Sequence, residues 1–225
     1  MARKASPKGP VKEVLIDEAI PVKTSLFPSL ERPLAIILVI GGIIGLISAF
    51  VITLDKMKLL ENASFQPNCD LNPIISCGSV MKSPQGSAFG FPNPWIGLAA
   101  FAVVLTIGMA ILAGARFKRW FWLGLQIGTV FGLAFVHWLF FQSVFRIGAL
   151  CPYCMAVWVV VITTFWYTLL YNLEQGYIKL PASEGWQKAG RFIRKHHLDI
   201  LFVWLLIIVA VILKHFWYFF GRNFS

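Results

Sequence analysis

Five stretches of this chain run on for about twenty residues with almost no charge, and nothing else in the sequence constrains the fold as much. They are Pro33–Leu54, Trp95–Ala115, Trp120–Val144, Ile147–Tyr171 and Ile200–Phe220. Each is long enough to cross roughly 30 Å of hydrocarbon. A backbone in lipid must satisfy its own hydrogen bonds, so runs of this kind are helices. With 58% hydrophobic and only 13% charged residues, an ordinary soluble domain is excluded. The expected fold class is an all-α integral membrane protein. Pro33–Leu54 has no small-residue cleavage site at its end and reads as a retained signal anchor. Residues 1–32 are polar, with scattered Pro, Lys and Ser, and read as a largely disordered tail.

The net charge of +10 would fit a nucleic-acid binder, but the cations lie between the apolar runs and not along one polar face. They are topology signals. Most fall in the tail, in the loop after the second run and in residues 174–198, which places those segments in the cytoplasm. Residues 55–94 then form an outer loop, and residues 199–225 a fifth span with a short outer tail. Within the cytoplasmic linker 174–198, Trp186, Ala189 and Ile193 recur at helical spacing with basic residues between. This pattern predicts a helix lying flat on an anionic leaflet, the alternative being a plain linker. Gly41, Gly42 and Gly45 read as helix-packing residues, and Gln126 and His137 as helix–helix hydrogen-bonding groups.

The four cysteines all fall on the outer side, where disulfides persist. Cys151 and Cys154, in "CPYC", stand at the head of a span. Pro152 suits a first helical turn, which sets the two thiols one turn apart on one face. Unpaired N–H groups at a helix start stabilise a thiolate, and a low thiol pKa makes an oxidising disulfide. At the lipid boundary an apolar electron acceptor can reach them. Cys69 and Cys77, in "CDLNPIISC", can close a short ring in the outer loop, with Asp70 placed to orient it. Together the pairs suit a relay from an external thiol to a lipid quinone. Two inert structural disulfides, a Cys₄ zinc site and a non-enzymatic scaffold are the other readings. The zinc reading fits poorly, because the first pair has C-x₇-C spacing. No metal is expected.

"NCDLNPIISCGSVMKS", then "FGFPNPWIG", then "CPYC" opening a later span, resemble the bacterial homologues of vitamin K epoxide reductase over roughly Leu34–Leu173. The resemblance implies a four-helix bundle over residues 33–173 around a quinone, in a bacterial plasma membrane. It implies that Cys69 meets an external thiol partner, Cys77 exchanges with Cys151, and Cys154 reduces the quinone. It sets Ser83 near the active site and Asn93 as a hydrogen-bond donor to the quinone, although both also read as turn residues. Trp158 stands where the animal enzymes carry a Tyr that donates to the quinone. Many bacterial relatives carry a fused thioredoxin-like domain. Here the chain ends after the fifth run, so the expected partner is a separate DsbA-like thioredoxin-fold protein. Net reduction of a quinone or quinone epoxide is the alternative output.

Overall fold

The computed structural model describes residues 30–179, 181 and 183–220. The expected N-terminal tail lies outside the described residues except at Leu30–Arg32, where the first helix already begins, and the short tail after Phe220 lies outside them too. Among the described residues, five helices are long and apolar enough to cross a membrane. They are α1 (Glu31–Glu61), α3 (Pro94–Leu112), α4 (Arg119–Phe141, continued by a wider π-helical turn at Gln142–Ile147), α5 (Pro152–Glu174) and α7 (His197–His215). Two short polar-sided helices stand between them, α2 (Cys77–Lys82) and α6 (Glu184–Lys195). The chain is a multi-pass helical membrane protein.

α1 runs two turns past the apolar stretch that predicts it. Asp55–Glu61 holds Lys, Leu, Met and Glu, which are good helix formers, so the helix leaves the apolar layer without breaking. It packs along α3 and α5, while α4 packs on α5. The α1–α3 contact is close because two glycines of α1 face α3. A Cβ on Gly42 would lie 2.7 Å from the Leu105 Cβ, and one on Gly45 would run into the Phe101 ring. Small residues let helix backbones approach in lipid, where no hydrophobic drive assembles them.

Buried polar groups tie the remaining helices. Asn172 Nδ2 on α5 donates to Gln126 Oε1 on α4 at 3.1 Å. Trp204 Nε1 on α7 donates to His137 Nε2 on α4 at 3.2 Å, and Trp166 Nε1 donates to the His197 carbonyl. These bonds hold α7 against the bundle, though most of its surface faces outward. On α6, Lys188, Arg191 and Lys195 fall on one arc; Ala189 and Ile193 fall opposite, and Ile193 packs against the bundle core.

The start of α5 fixes the cysteine end. Gly148 has φ +70°, a left-handed conformation that ends the π-helical turn of α4. Residues 149–151 run extended, and Pro152 opens α5. The fourth span therefore begins at Pro152 and not at Ile147. Cys151 is its N-cap, and Cys154 lies in its first turn.

Candidate functional site

The site is built where the loop after α1 meets the extended stretch before α5. Asn72 begins the construction: its Oδ1 accepts the N–H groups of Ile74 at 3.0 Å and Ile75 at 2.7 Å, and so turns the chain. The turned segment then pairs with the stretch before α5. Leu150 N donates to Ile74 O at 2.6 Å, and Ser76 N donates to Leu150 O at 2.9 Å, a one-rung parallel bridge. This clamp sets register. The residue after Ser76 and the residue after Leu150 are both cysteines, and they come out side by side.

Asp70 fixes the second half of the loop. Its Oδ1 accepts from Gly78 N at 2.8 Å and from Ser76 Oγ at 3.1 Å, while Ser76 Oγ caps α2 by accepting from Ser79 N. Gly78 has to be small: a Cβ there would sit 2.6 Å from Asp70 Oδ2. The adjacent Cys69 is thereby drawn onto the start of α2, where it is disulfide-bonded to Cys77.

The four sulfurs now form one line. Cys69 is partly exposed, whereas Cys77 and Cys151 are fully buried. Cys151 and Cys154 are free thiols, and Cys151 Sγ lies 3.2 Å from Cys77 Sγ. The Cys151 thiol titrates below the ordinary cysteine range. The main cause is the Cys154 thiol hydrogen-bonded to it, helped by backbone N–H groups of Cys154 and Tyr153; burial and the charge of Asp70 work against the shift. A thiolate at van der Waals range from a disulfide sulfur is placed for thiol–disulfide exchange.

Below the sulfurs lies a cavity of about 200 Å³ enclosed by α1, α3, α4 and α5. Both Cys151 and Cys154 reach its wall, and Ala100, Phe131, Phe135 and Val161 make it apolar. An aromatic head group fits this chemistry, and polar atoms are few. Trp158 lines the cavity, is 3% exposed and meets Phe140 edge-on, and its indole N–H makes no hydrogen bond within the described residues. A quinone carbonyl is the kind of acceptor such an N–H can serve. A second apolar space between α3 and α4, lined by Gly124 and Thr129, shares Gly128, Gly132 and Val161 with the first. α3 and α4 make little direct contact, which leaves this second space between them.

The residues singled out from the sequence separate here. Cys69, Cys77, Cys151 and Cys154 come together. Asn93 is on the cavity wall, but its amide also knits the preceding loop: Nδ2 donates to Gln85 O at 2.7 Å and Oδ1 accepts from Ala88 N at 2.9 Å. Ser83 is not on the wall; its hydroxyl donates to Val80 O at 2.7 Å and ends α2. Gln126 and His137 also lie away from the cavity, bonded to neighbouring helices. Among the described residues no group of three or more His, Cys, Asp or Glu is arranged to hold a metal ion. Sequence reasoning missed the Ile74–Ser76 clamp, for which the Asn-Pro turn followed by two Ile was the available signal. It also missed Lys56, which reaches the cavity from the polar end of α1.

The vitamin K epoxide reductase family model matches residues 36–169, well over half of the chain. No curated protein matches it. The match spans α1 and the cysteine loop and ends within α5, so it contains all four sulfurs and the cavity.

Proposed function

Because the chain belongs to the vitamin K epoxide reductase family of membrane disulfide–quinone oxidoreductases, we propose that it reoxidises a separate, DsbA-like thioredoxin-fold partner and delivers the electrons to a membrane quinone. The observation that carries this reading is the 3.2 Å approach of Cys151 Sγ to Cys77 Sγ, directly above an apolar cavity. A reduced partner attacks the accessible Cys69, freeing Cys77. Cys77 attacks Cys151 of a Cys151–Cys154 disulfide and frees Cys154. The partner's second thiol closes the partner's own disulfide and releases Cys69, which then attacks Cys77 and displaces Cys151 to restore the loop disulfide. The state with Cys69–Cys77 joined and Cys151 and Cys154 reduced is the one left after that hand-over.

The quinone, when bound, supplies the two-electron acceptor. Around it the chain offers the two thiols, the Trp158 indole N–H and the Asn93 amide. As the Cys151–Cys154 bond forms, two electrons and two protons leave the thiols, which balances reduction of a quinone to a quinol. Thermodynamics suits this direction: a DsbA-type disulfide lies near about −120 mV, and each ~30 mV is about 1.4 kcal/mol for two electrons, so only a high-potential sink keeps it oxidised.

Within the same reading, the positive-inside pattern sets the cysteine end outside the cytoplasm, and α6 lies on the anionic inner leaflet. The deciding experiment mixes purified protein, a reduced thioredoxin-fold partner and a soluble quinone, and follows quinone absorbance. Turnover that Cys154→Ala abolishes supports the proposal. Absence of turnover with the unaltered protein, or full turnover with Cys154→Ala, overturns it.

A further inference from the structure

Among the described residues Lys56 is the one formally charged side chain on the wall of a largely apolar cavity. Its Nζ donates to the Met81 carbonyl at 2.6 Å, which engages one of its three N–H groups. No carboxylate pairs with it among the described residues. Met81 packs in one cluster with Cys77, Cys151 and Cys154, so the ammonium stands at the thiol end of the cavity.

Lys56 is only partly buried, so its ammonium is tolerated without a counter-charge, yet it can still stabilise a negative charge that develops in the cavity beside it. A bound quinone that took electrons ahead of the thiol protons would carry such a charge on a ring oxygen. We infer that Lys56 is a further catalytic residue: it contacts the quinone oxygen nearest the thiols and holds the charge that develops there. This rests on the quinone reading above. The redox balance is unchanged, since the thiols supply both electrons and both protons and Lys56 changes no oxidation state. A preorganised donor of this kind in a low-dielectric site typically accounts for about 10²–10³ in rate. Purely structural capping of α2 through Met81 is the competing role.

Two measurements separate them. The first needs no turnover. A hydroxynaphthoquinone has an acidic hydroxyl whose ionisation changes its visible absorbance, so it reports a nearby cation when bound. Unaltered protein should bind the ionised form preferentially and lower the probe's apparent pKa. Lys56→Met should lose that shift and bind the anion about tenfold more weakly, and Lys56→Arg should keep most of it. The second compares half-reactions. Lys56→Met should slow quinone reduction about 10²-fold while thiol hand-over from partner to Cys151–Cys154 stays within about threefold. An unshifted probe in the unaltered protein, or equal losses in both half-reactions, overturns the inference. Failure of the unaltered protein to bind or reduce any quinone overturns the proposed function instead.

Discussion

Cys151 Sγ lies 3.2 Å from Cys77 Sγ, although the two residues are 74 positions apart in sequence. Two backbone hydrogen bonds between Ile74–Ser76 and Leu150 produce that approach. The disulfide loop and the membrane pair are therefore not free partners that collide by chance. They are registered by a short piece of parallel backbone pairing, which raises the effective concentration of one sulfur at the other.

Cross-linking follows directly. In a Cys69→Ala/Cys154→Ala variant, the remaining Cys77 and Cys151 should close a disulfide nearly completely under mild diamide oxidation. A Cys77→Ala/Cys151→Ala variant, which leaves Cys69 and Cys154, should stay largely open. Mass spectrometry of non-reduced peptides reads both. If Cys69 and Cys154 join as readily as the other two, the line of sulfurs described above is wrong.

The low-lying Cys151 thiol predicts a pH dependence with a definite sign. Exchange requires the thiolate, so its rate should fall on acidification through a midpoint lowered from the ordinary cysteine value. Cys154→Ala removes the largest stabiliser of the thiolate and should move the midpoint up. Asp70→Asn removes an opposing negative charge while keeping an oxygen for Gly78 N, and should move it down. Each can be followed through the alkylation of released Cys69 in rapid-quench samples. Shifts in the same direction for both variants would contradict this assignment of causes.

Much of this architecture was legible because lipid leaves a chain few options. Apolar run length gave the five spans, and Pro152 marked a first helical turn, but the run itself started the fourth span too early, at Ile147; the left-handed Gly148 ends the preceding helix there. The cysteine spacing pointed to a relay because a helix start and a lipid boundary both act on "CPYC". What sequence could not supply was the contact between distant segments. "NPIIS" signals a turn followed by an extended stretch, but nothing local names Leu150 as the backbone with which it pairs. The hydroxyl of Ser83 and the amide of Asn93 read the same whether they face a ligand or a turn. Lys56 read only as a cation of the outer loop, and it is the continuation of α1 to Glu61, packed against the cysteine loop, that brings it to the cavity.

Ser83 and Asn93 now carry different expectations. Asn93→Ala loses two hydrogen bonds that hold Gln85 and Ala88, at a net cost of about 1–3 kcal/mol, and should also raise the KM for quinone. Ser83→Ala loses one bond to Val80 O, so it should cost at most ~1.5 kcal/mol and leave the quinone KM unchanged. Thermal unfolding in detergent and steady-state kinetics with a soluble quinone give both numbers. A raised KM in Ser83→Ala would return that hydroxyl to the quinone site.

Trp158 offers the cleanest test of head-group recognition, because its ring is packed and its N–H is not engaged within the described residues. Trp158→Phe keeps an aromatic ring against Phe140 but removes the donor. One net hydrogen bond is about 0.5–1.5 kcal/mol, which converts to roughly a twofold to twelvefold rise in quinone KM. Trp158→Tyr restores a donor on a smaller ring and should recover part of the loss. Hand-over from Cys77 to Cys151 should remain unchanged in both, since the indole lies beyond Cys154 on α5. A Phe variant with unaltered KM would make Trp158 a packing residue and leave Asn93 and Lys56 as the polar groups that meet the quinone.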